Sequence, residues 1–180
     1  QEYAEKAPFL YFVHHSDPEL VEAVRQGRVE EFKDFQWAGT PPDPQAEQTF
    51  RDSKLNWDLR STGRHAQILG LYRELIHLRR SVPPLRVLNR DRVQARTWAE
   101  DAVLTVRRWY RDQEVLFVGN FQSPKQEWTA PVSNRPWSLL LDSSQKTWGG
   151  PGGLAPNLLE HAARITLMPW SFALYLQDRA

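Results

Sequence analysis

The chain has 180 residues, 41% of them apolar and 25% charged, with a formal net charge of +1. That apolar share supports a packed core and argues against wholesale disorder. The near-balanced charge argues against nucleic acid as a partner, because a phosphate-binding surface needs clustered basic residues to displace counterions.

Cysteine is absent, which excludes a disulfide framework and a thiolate metal site, and a reducing, cytoplasmic setting is the expectation. The first residues, Gln1-Glu2-Tyr3-Ala4-Glu5, have neither the basic nor the apolar region of a signal peptide. Apolar runs such as 8–13 and 115–118 are far too short for a membrane span, so no membrane partner is expected. The one methionine is Met168, from which the chain is expected to derive from a longer protein. Aromatic residues are abundant, with eight Trp, eight Phe and five Tyr. They fill cores, but their flat faces also stack on the C–H patches of sugar rings.

Taken in order, Ser16-Asp17-Pro18-Glu19 starts a helix. Asp17 suits the N-cap, Pro18 the first helical position, and Glu19 and Glu22 the positive end of the macrodipole. The helix is expected to run through Val21 and Val24 and to stop near Gly27, with a second short turn over 29–35. A long polar stretch over 36–63 follows, with Thr40-Pro41-Pro42-Asp43-Pro44 in its middle. A loop of that length is functional or disordered, and Phe35, Trp37, Phe50 and Trp57 argue against disorder.

The strongest helix is expected over 64–80. Ile68, Leu71, Tyr72, Leu75 and Ile76 form one apolar stripe at helical spacing, and Pro83-Pro84 ends it. Ile68, Leu71, Tyr72 and Leu75 of the stripe are expected to pack on the following β part or on a second copy of the chain. From 85 onward the signals are β. Segments 103–110 and 114–118 read as a hairpin around Arg111-Asp112-Gln113, with further strands over 93–99, 126–129, 137–141, 163–167 and 172–177. Gly149-Gly150-Pro151-Gly152-Gly153 is a turn cluster. The order, helix and loop followed by short punctuated strands, predicts an α+β chain ending in an antiparallel β-sandwich.

The residues carry little self-contained chemistry. His14 and His15 are adjacent and point to opposite faces of an extended segment, His65 and His77 lie more than three helical turns apart, and His161 is isolated. No metal site and no cofactor are expected. There is no Gly-x-Ser-x-Gly elbow. Acidic pairs such as Glu30-Glu31, or Asp52 with Asp58, have no spacing that marks them as a catalytic dyad rather than solvated surface acids.

Two segments are more specific: residues 1–12, which include Pro8-Phe9-Leu10-Tyr11-Phe12, and residues 43–57, which include Asp43-Pro44-Gln45, Thr49-Phe50 and Ser53-Lys54-Leu55-Asn56-Trp57. Together they resemble the maltooligosyltrehalose trehalohydrolases of the α-amylase superfamily. The resemblance covers residues 1 to about 80 and is looser beyond. It implies that residues 1–82 form the last strand-to-helix loop and final helix of a (β/α)8 barrel and that 83–180 form an all-β sandwich domain. It implies further that the catalytic carboxylates lie upstream of Gln1, so that no residue here is catalytic. The parent enzyme is expected to cleave the α-1,4 bond next to the terminal trehalose of maltooligosyl trehalose, by a retaining mechanism with two carboxylates. The chain alone is expected to be inactive.

Loops after the strands of such a barrel form its active face. The resemblance therefore nominates Glu2 and Tyr3, at the strand-end motif, for lining the pocket, with Tyr11, Phe12 and His15 after them. Val13-His14-His15 stands where the family commonly has a Thr-Asp-His-like run, so His14 replaces an acid. Trp37 and Trp57 would stack on glucose units or pack under the loop; Arg51 and Lys54 would bind hydroxyls or stay in solvent. The implied partners are maltooligosyl trehalose or a related α-glucan, the rest of the barrel, and a second copy through the helix. A branching or debranching enzyme of the same superfamily is the alternative within the class, and a stand-alone carbohydrate-binding β domain the alternative outside it.

Overall fold

A computed structural model of the chain describes residues 2–34, 39–98, 102–130, 135–160 and 162–178. The chain forms two compact units, Tyr3–Ser61 and Thr62–Ala180.

In the first unit, α1 (Pro18–Asp34) begins where the sequence places it. Asp17 Oδ1 accepts the Glu19 N–H at 2.9 Å and the Asp17 carbonyl accepts that of Val21 at 3.0 Å, satisfying donors at the helix start. The expected stop at Gly27 does not occur, and the helix continues to Asp34. Gly27 lowers helix propensity by about 1 kcal/mol relative to alanine, but it does not adopt the left-handed conformation that terminates helices. Beyond it, Arg28 lies 4.6 Å from the centre of the Phe32 ring and pairs with Glu31, which supports the second half.

The stretch expected to be loop contains a short helix, α2 (Glu47–Asp52), and a 3-10 turn at Trp57–Ser61. Two one-turn pairs stitch α2: Arg51 donates to Glu47 at 2.6 Å and Gln48 to Asp52 at 2.6 Å. Among the described residues of this unit only Tyr3, Pro44 and Thr49 are buried. Hydrogen bonds, rather than apolar burial, carry its organisation.

The second unit begins with α3 (Gly63–Ser81), close to the expected 64–80. The Val82 N–H closes it on the Leu78 carbonyl at 2.9 Å. Pro83 and Pro84 then open a further helical turn, α4 (Pro83–Arg86), because a proline in a first turn gives up no needed donor. The β signals expected from 85 therefore start later, after a 3-10 turn at Arg90–Arg92.

Eight strands follow: β1 (Val93–Trp98), β2 (Val103–Tyr110), β3 (Gln113–Asn120), β4 (Gln126–Thr129), β5 (Trp137–Asp142), β6 (Leu158–Leu159), β7 (Arg164–Leu167) and β8 (Ser171–Asp178). All described pairings are antiparallel. Six strands form one sheet in the order β1-β2-β3-β8-β5-β6, and β4 pairs with β7 in a second. The β2–β3 turn is tighter than expected, because Gln113 already pairs with Tyr110 and leaves Arg111-Asp112 as the loop, Arg111 at φ 52°. Ala99, the expected end of the first strand, lies outside the described residues.

Strand alternation sorts the large sheet into two apolar faces. One carries Val103, Leu116, Val118, Ala173 and Tyr175, which pack with Trp128, Ile165 and Leu167 of the β4–β7 pair. The other carries Val115, Leu141 and Leu174, which pack with Leu71, Leu75, Leu78 and Val82. The helix thus buries the ridge of Leu71, Leu75 and Leu78, leaving Tyr72 and Ile76 of the expected stripe 38% and 47% exposed. The sheet selects one ridge out of a stripe too wide to bury whole. Trp148 joins the same cluster beside Gly70, where a Cβ would stand at an ordinary contact distance of 3.4 Å from its ring.

The glycine cluster closes tightly on the end of β5. Buried Asp142 accepts the Ser144 N–H at 2.8 Å and hydroxyl at 2.6 Å on one oxygen and the Ala155 N–H at 3.3 Å on the other. A Cβ on Gly150 would fall 2.2 Å from the Ser144 carbonyl oxygen, so the corner admits only glycine. Burial, with Asp142 adding to it, pushes the Tyr175 phenol well above its usual value, and its hydroxyl donates to the Pro156 carbonyl at 3.1 Å.

Candidate functional site

Of the nominated residues that are described, all but Glu2 lie in the first unit, where two polar junctions organise them. The first is built by Asp43-Pro44-Gln45. Asp43 receives the Arg25 guanidinium, with Nε at 3.0 Å from both oxygens, and the Gln45 N–H at 2.9 Å. These bonds, the Arg25 one first, hold the Asp43 carboxyl below its usual range. The buried Pro44 offers its carbonyl to the Val13 N–H at 2.9 Å. Gln45 clasps the backbone of His15 from both sides: its Nε2 donates to the carbonyl at 2.8 Å and its Oε1 accepts the N–H at 3.2 Å. A side-chain amide thereby copies the pairing of a neighbouring strand, and each member of the triplet has a separate task.

The result is a Val13-His14-His15 segment held by its backbone, in which Val13 and His15 are half-buried and His14 is exposed. Just before it, Tyr11 and Phe12 are 48% and 44% exposed. Arg28 sits 5.1 Å over the Tyr11 ring, and Phe12 meets Phe50 edge-on at 5.2 Å with Lys54 at 4.9 Å over Phe50.

The second junction centres on Glu5. Its Oε1 accepts the N–H groups of Lys6 at 2.7 Å and Ala7 at 2.9 Å. Its Oε2 accepts the Tyr3 hydroxyl at 2.9 Å and the Asn56 N–H at 2.8 Å. The Ala7 N–H leads these donors in lowering the carboxyl to about 2, against some opposing desolvation. Asn56 Oδ1 in turn accepts the Asp58 N–H at 3.1 Å and so opens the turn that carries Trp57. Arg60 donates to the Trp57 carbonyl at 2.9 Å and lies 4.7 Å over its ring. The Tyr3 and Trp57 ring centres are 6.1 Å apart.

The structure therefore brings Tyr3 together with Trp57 and sets Tyr11, Phe12 and His15 around the Asp-Pro-Gln junction. Glu2 is exposed, Tyr3 is buried with its hydroxyl spent on Glu5, and Trp37 lies outside the described residues. A shallow groove of about 200 Å³ between α1 and the Thr40–Pro44 turn is lined by Arg25, Arg28, Val29 and the prolines, not by the nominated residues. Among the described residues, no cluster of three or more His, Asp or Glu could hold a metal ion, and no helix is long and apolar enough to cross a membrane. Glu5, Gln45, Asn56 and Arg60 were not nominated. Three of them lie within the two motif segments, but the bonds that join Glu5 to Asn56 and Gln45 to His15 span 51 and 30 residues, too far for spacing to disclose.

No family model matches the chain. Seven curated proteins, each called malto-oligosyltrehalose trehalohydrolase, are similar to it at 38–49% identity, so the resemblance read from the two motif segments holds. That from Deinococcus radiodurans is 49% identical over 109 residues, 59% of this chain and 18% of the relative. That from Rhizobium sp. is 46% identical over 86 residues, 47% of this chain and 14% of the relative. The matched part thus spans less than a fifth of those relatives. Among solved structures, one described as an α-amylase from Salmonella typhimurium superposes with a TM-score of 0.70 at 25% identity, covering 98% of this chain and 27% of that one.

Proposed function

We propose that this relative of the malto-oligosyltrehalose trehalohydrolases is the C-terminal part of such an enzyme. Residues 1–82 would be the last loop and helix of its (β/α)8 barrel and 83–180 its C-terminal β-sandwich. The parent would release trehalose from maltooligosyl trehalose by a retaining mechanism in which two carboxylates outside this chain break the bond. The chain itself supplies part of the lining of the sugar site, with Glu2, Tyr3, Tyr11, Phe12, His15, Trp37 and Trp57 as its residues, and is inactive alone.

The observation that carries this reading is the fit between signature and structure. The residues that mark the resemblance, Asp43-Pro44-Gln45 and Asn56-Trp57, are the ones that clamp His15 and fix Trp57. The acids at these junctions also support a scaffold role. A general acid works best with a pKa near the operating pH, whereas Glu5 is held at about 2 and Asp43 is lowered by Arg25.

The test is an assay of trehalose release from maltooligosyl trehalose. The isolated chain is expected to give none, and the complete protein is expected to turn over. Trp57→Ala in the complete protein is expected to raise KM more than it lowers kcat. Turnover by the homogeneous isolated chain would overturn the assignment of the carboxylates. Activity of the complete protein on branch points alone would favour a branching or debranching enzyme. Saturable glucan binding by the isolated chain, with no trehalose release from the complete protein, would favour a binding module.

A further inference from the structure

An indole left in solvent forgoes the gain from burial, and holding it in one orientation costs rotamer entropy besides. Trp57 is 54% exposed, yet its surroundings fix it repeatedly. Glu5 holds the N–H of the preceding residue, and the Asn56 side chain caps the turn. Arg60 both bonds the Trp57 carbonyl and covers the ring. Tyr3, whose ring centre lies 6.1 Å away, is anchored by its hydroxyl to the same Glu5 carboxylate. One carboxylate thus sets two of the supports of one exposed ring.

We propose that Glu5 is the positioning residue for Trp57, and that the indole so held is a stacking platform for the apolar face of a glucose unit. The first half stands on the geometry alone; the second rests on the carbohydrate reading above and deepens it. Glu5 does not touch the sugar in this scheme, since both of its oxygens are already engaged by two donors each. Its contribution is preorganisation: a ring fixed before the ligand arrives loses less entropy on binding. The carboxyl stays ionised at neutral pH, so the clamp is constant there.

The test uses the 180-residue chain labelled with 15N, the Trp57 indole N–H resonance being the one that Trp57→Phe removes. Glu5→Gln keeps the size of the side chain and removes its charge. It is expected to speed hydrogen exchange at the Asn56 amide by about tenfold, the loss of one charge-assisted bond, and to move the Trp57 indole toward its unstructured position while the other indoles stay. Glu5→Asp is expected to restore part of both signals. Unchanged Asn56 and Trp57 signals in Glu5→Gln overturn the positioning role. If Glu5→Gln does not fold, acidifying the wild type gives the same decision. A Trp57 shift that titrates near the low value of Glu5 supports the role, and an indole indifferent to acid overturns it.

Maltotetraose titrated into the same samples separates the two halves. Wild type is expected to show a saturable shift at Trp57, Glu5→Gln binding weaker by about tenfold, and Trp57→Ala none. A sugar response that is absent in the wild type overturns the platform, whereas the carbohydrate reading falls only if the complete protein releases no trehalose, and the positioning role is decided by the exchange data. Equal affinity in wild type and Glu5→Gln, with Trp57→Ala inert, overturns positioning alone.

Discussion

The Glu5 carboxylate and the Asn56 backbone are joined across 51 residues, with Oε2 accepting the Asn56 N–H at 2.8 Å. The same carboxylate binds Tyr3, Lys6 and Ala7, so a single ionised group ties the start of the first unit to its last turn.

Acid is therefore expected to loosen the first unit late. The folded value of Glu5 lies below its ordinary one, 4.5 falling to about 2. Its stabilisation is fully present above the ordinary value and is lost as pH drops from there through about 2. Wild type and Glu5→Gln should differ in tryptophan fluorescence at neutral pH and converge near pH 2. Convergence already complete by about pH 4 would contradict this assignment.

Gln45→Ala removes both bonds that clasp His15. At about 1 kcal/mol for each partly solvated bond, a loss of about 1–2 kcal/mol in the local stability of the Val13–His15 segment is expected. Hydrogen exchange at the His15 amide reads it directly. Gln45→Glu should not rescue, since a carboxylate cannot donate to the His15 carbonyl.

The selected ridge of α3 yields a paired prediction. Leu78→Ala empties a buried place between helix and sheet and should destabilise the second unit by about 2–5 kcal/mol. Ile76→Ala, two residues earlier on the exposed side, should change stability by about 0.5 kcal/mol or less. Urea unfolding of the two variants would expose a wrong choice of ridge by reversing the order.

Gly150→Ala should be among the costlier single-methyl changes available. The new carbon would fall 2.2 Å from a main-chain oxygen, which no side-chain rotation can relieve. A cost of about 1–3 kcal/mol is expected, read as a lower denaturation midpoint at unchanged slope. Enlargement at this corner should also loosen the contacts of Asp142 with Ser144 and Ala155.

Much of the fold was legible because its signals are local. The cap at Asp17, the stop after α3 and the β-rich runs that form β2, β3 and β8 depend on neighbours a few residues away. The misreadings share a cause as well. Gly27 looked like a helix end because its residue type favours one, yet Arg28, Glu31 and Phe32 carried the helix past it. Tyr72 looked buried because periodicity reports the width of an apolar stripe, not which part a neighbour covers. β6 escaped notice because two residues have no period. The site was legible as motif but not as mechanism: Asp43-Pro44-Gln45 and Asn56-Trp57 stood out, while Glu5 did not, since its meaning depends on a donor 51 residues on.

The scarcity of buried groups in the first unit has a thermal consequence. Its joints are directional and wet, so opening it uncovers little new hydrocarbon and should carry a small heat-capacity increment. The second unit, with apolar clusters on both faces of its sheet, should show a large one. Chilling should accordingly weaken the hold of the sheet more than it weakens the clasp on His15.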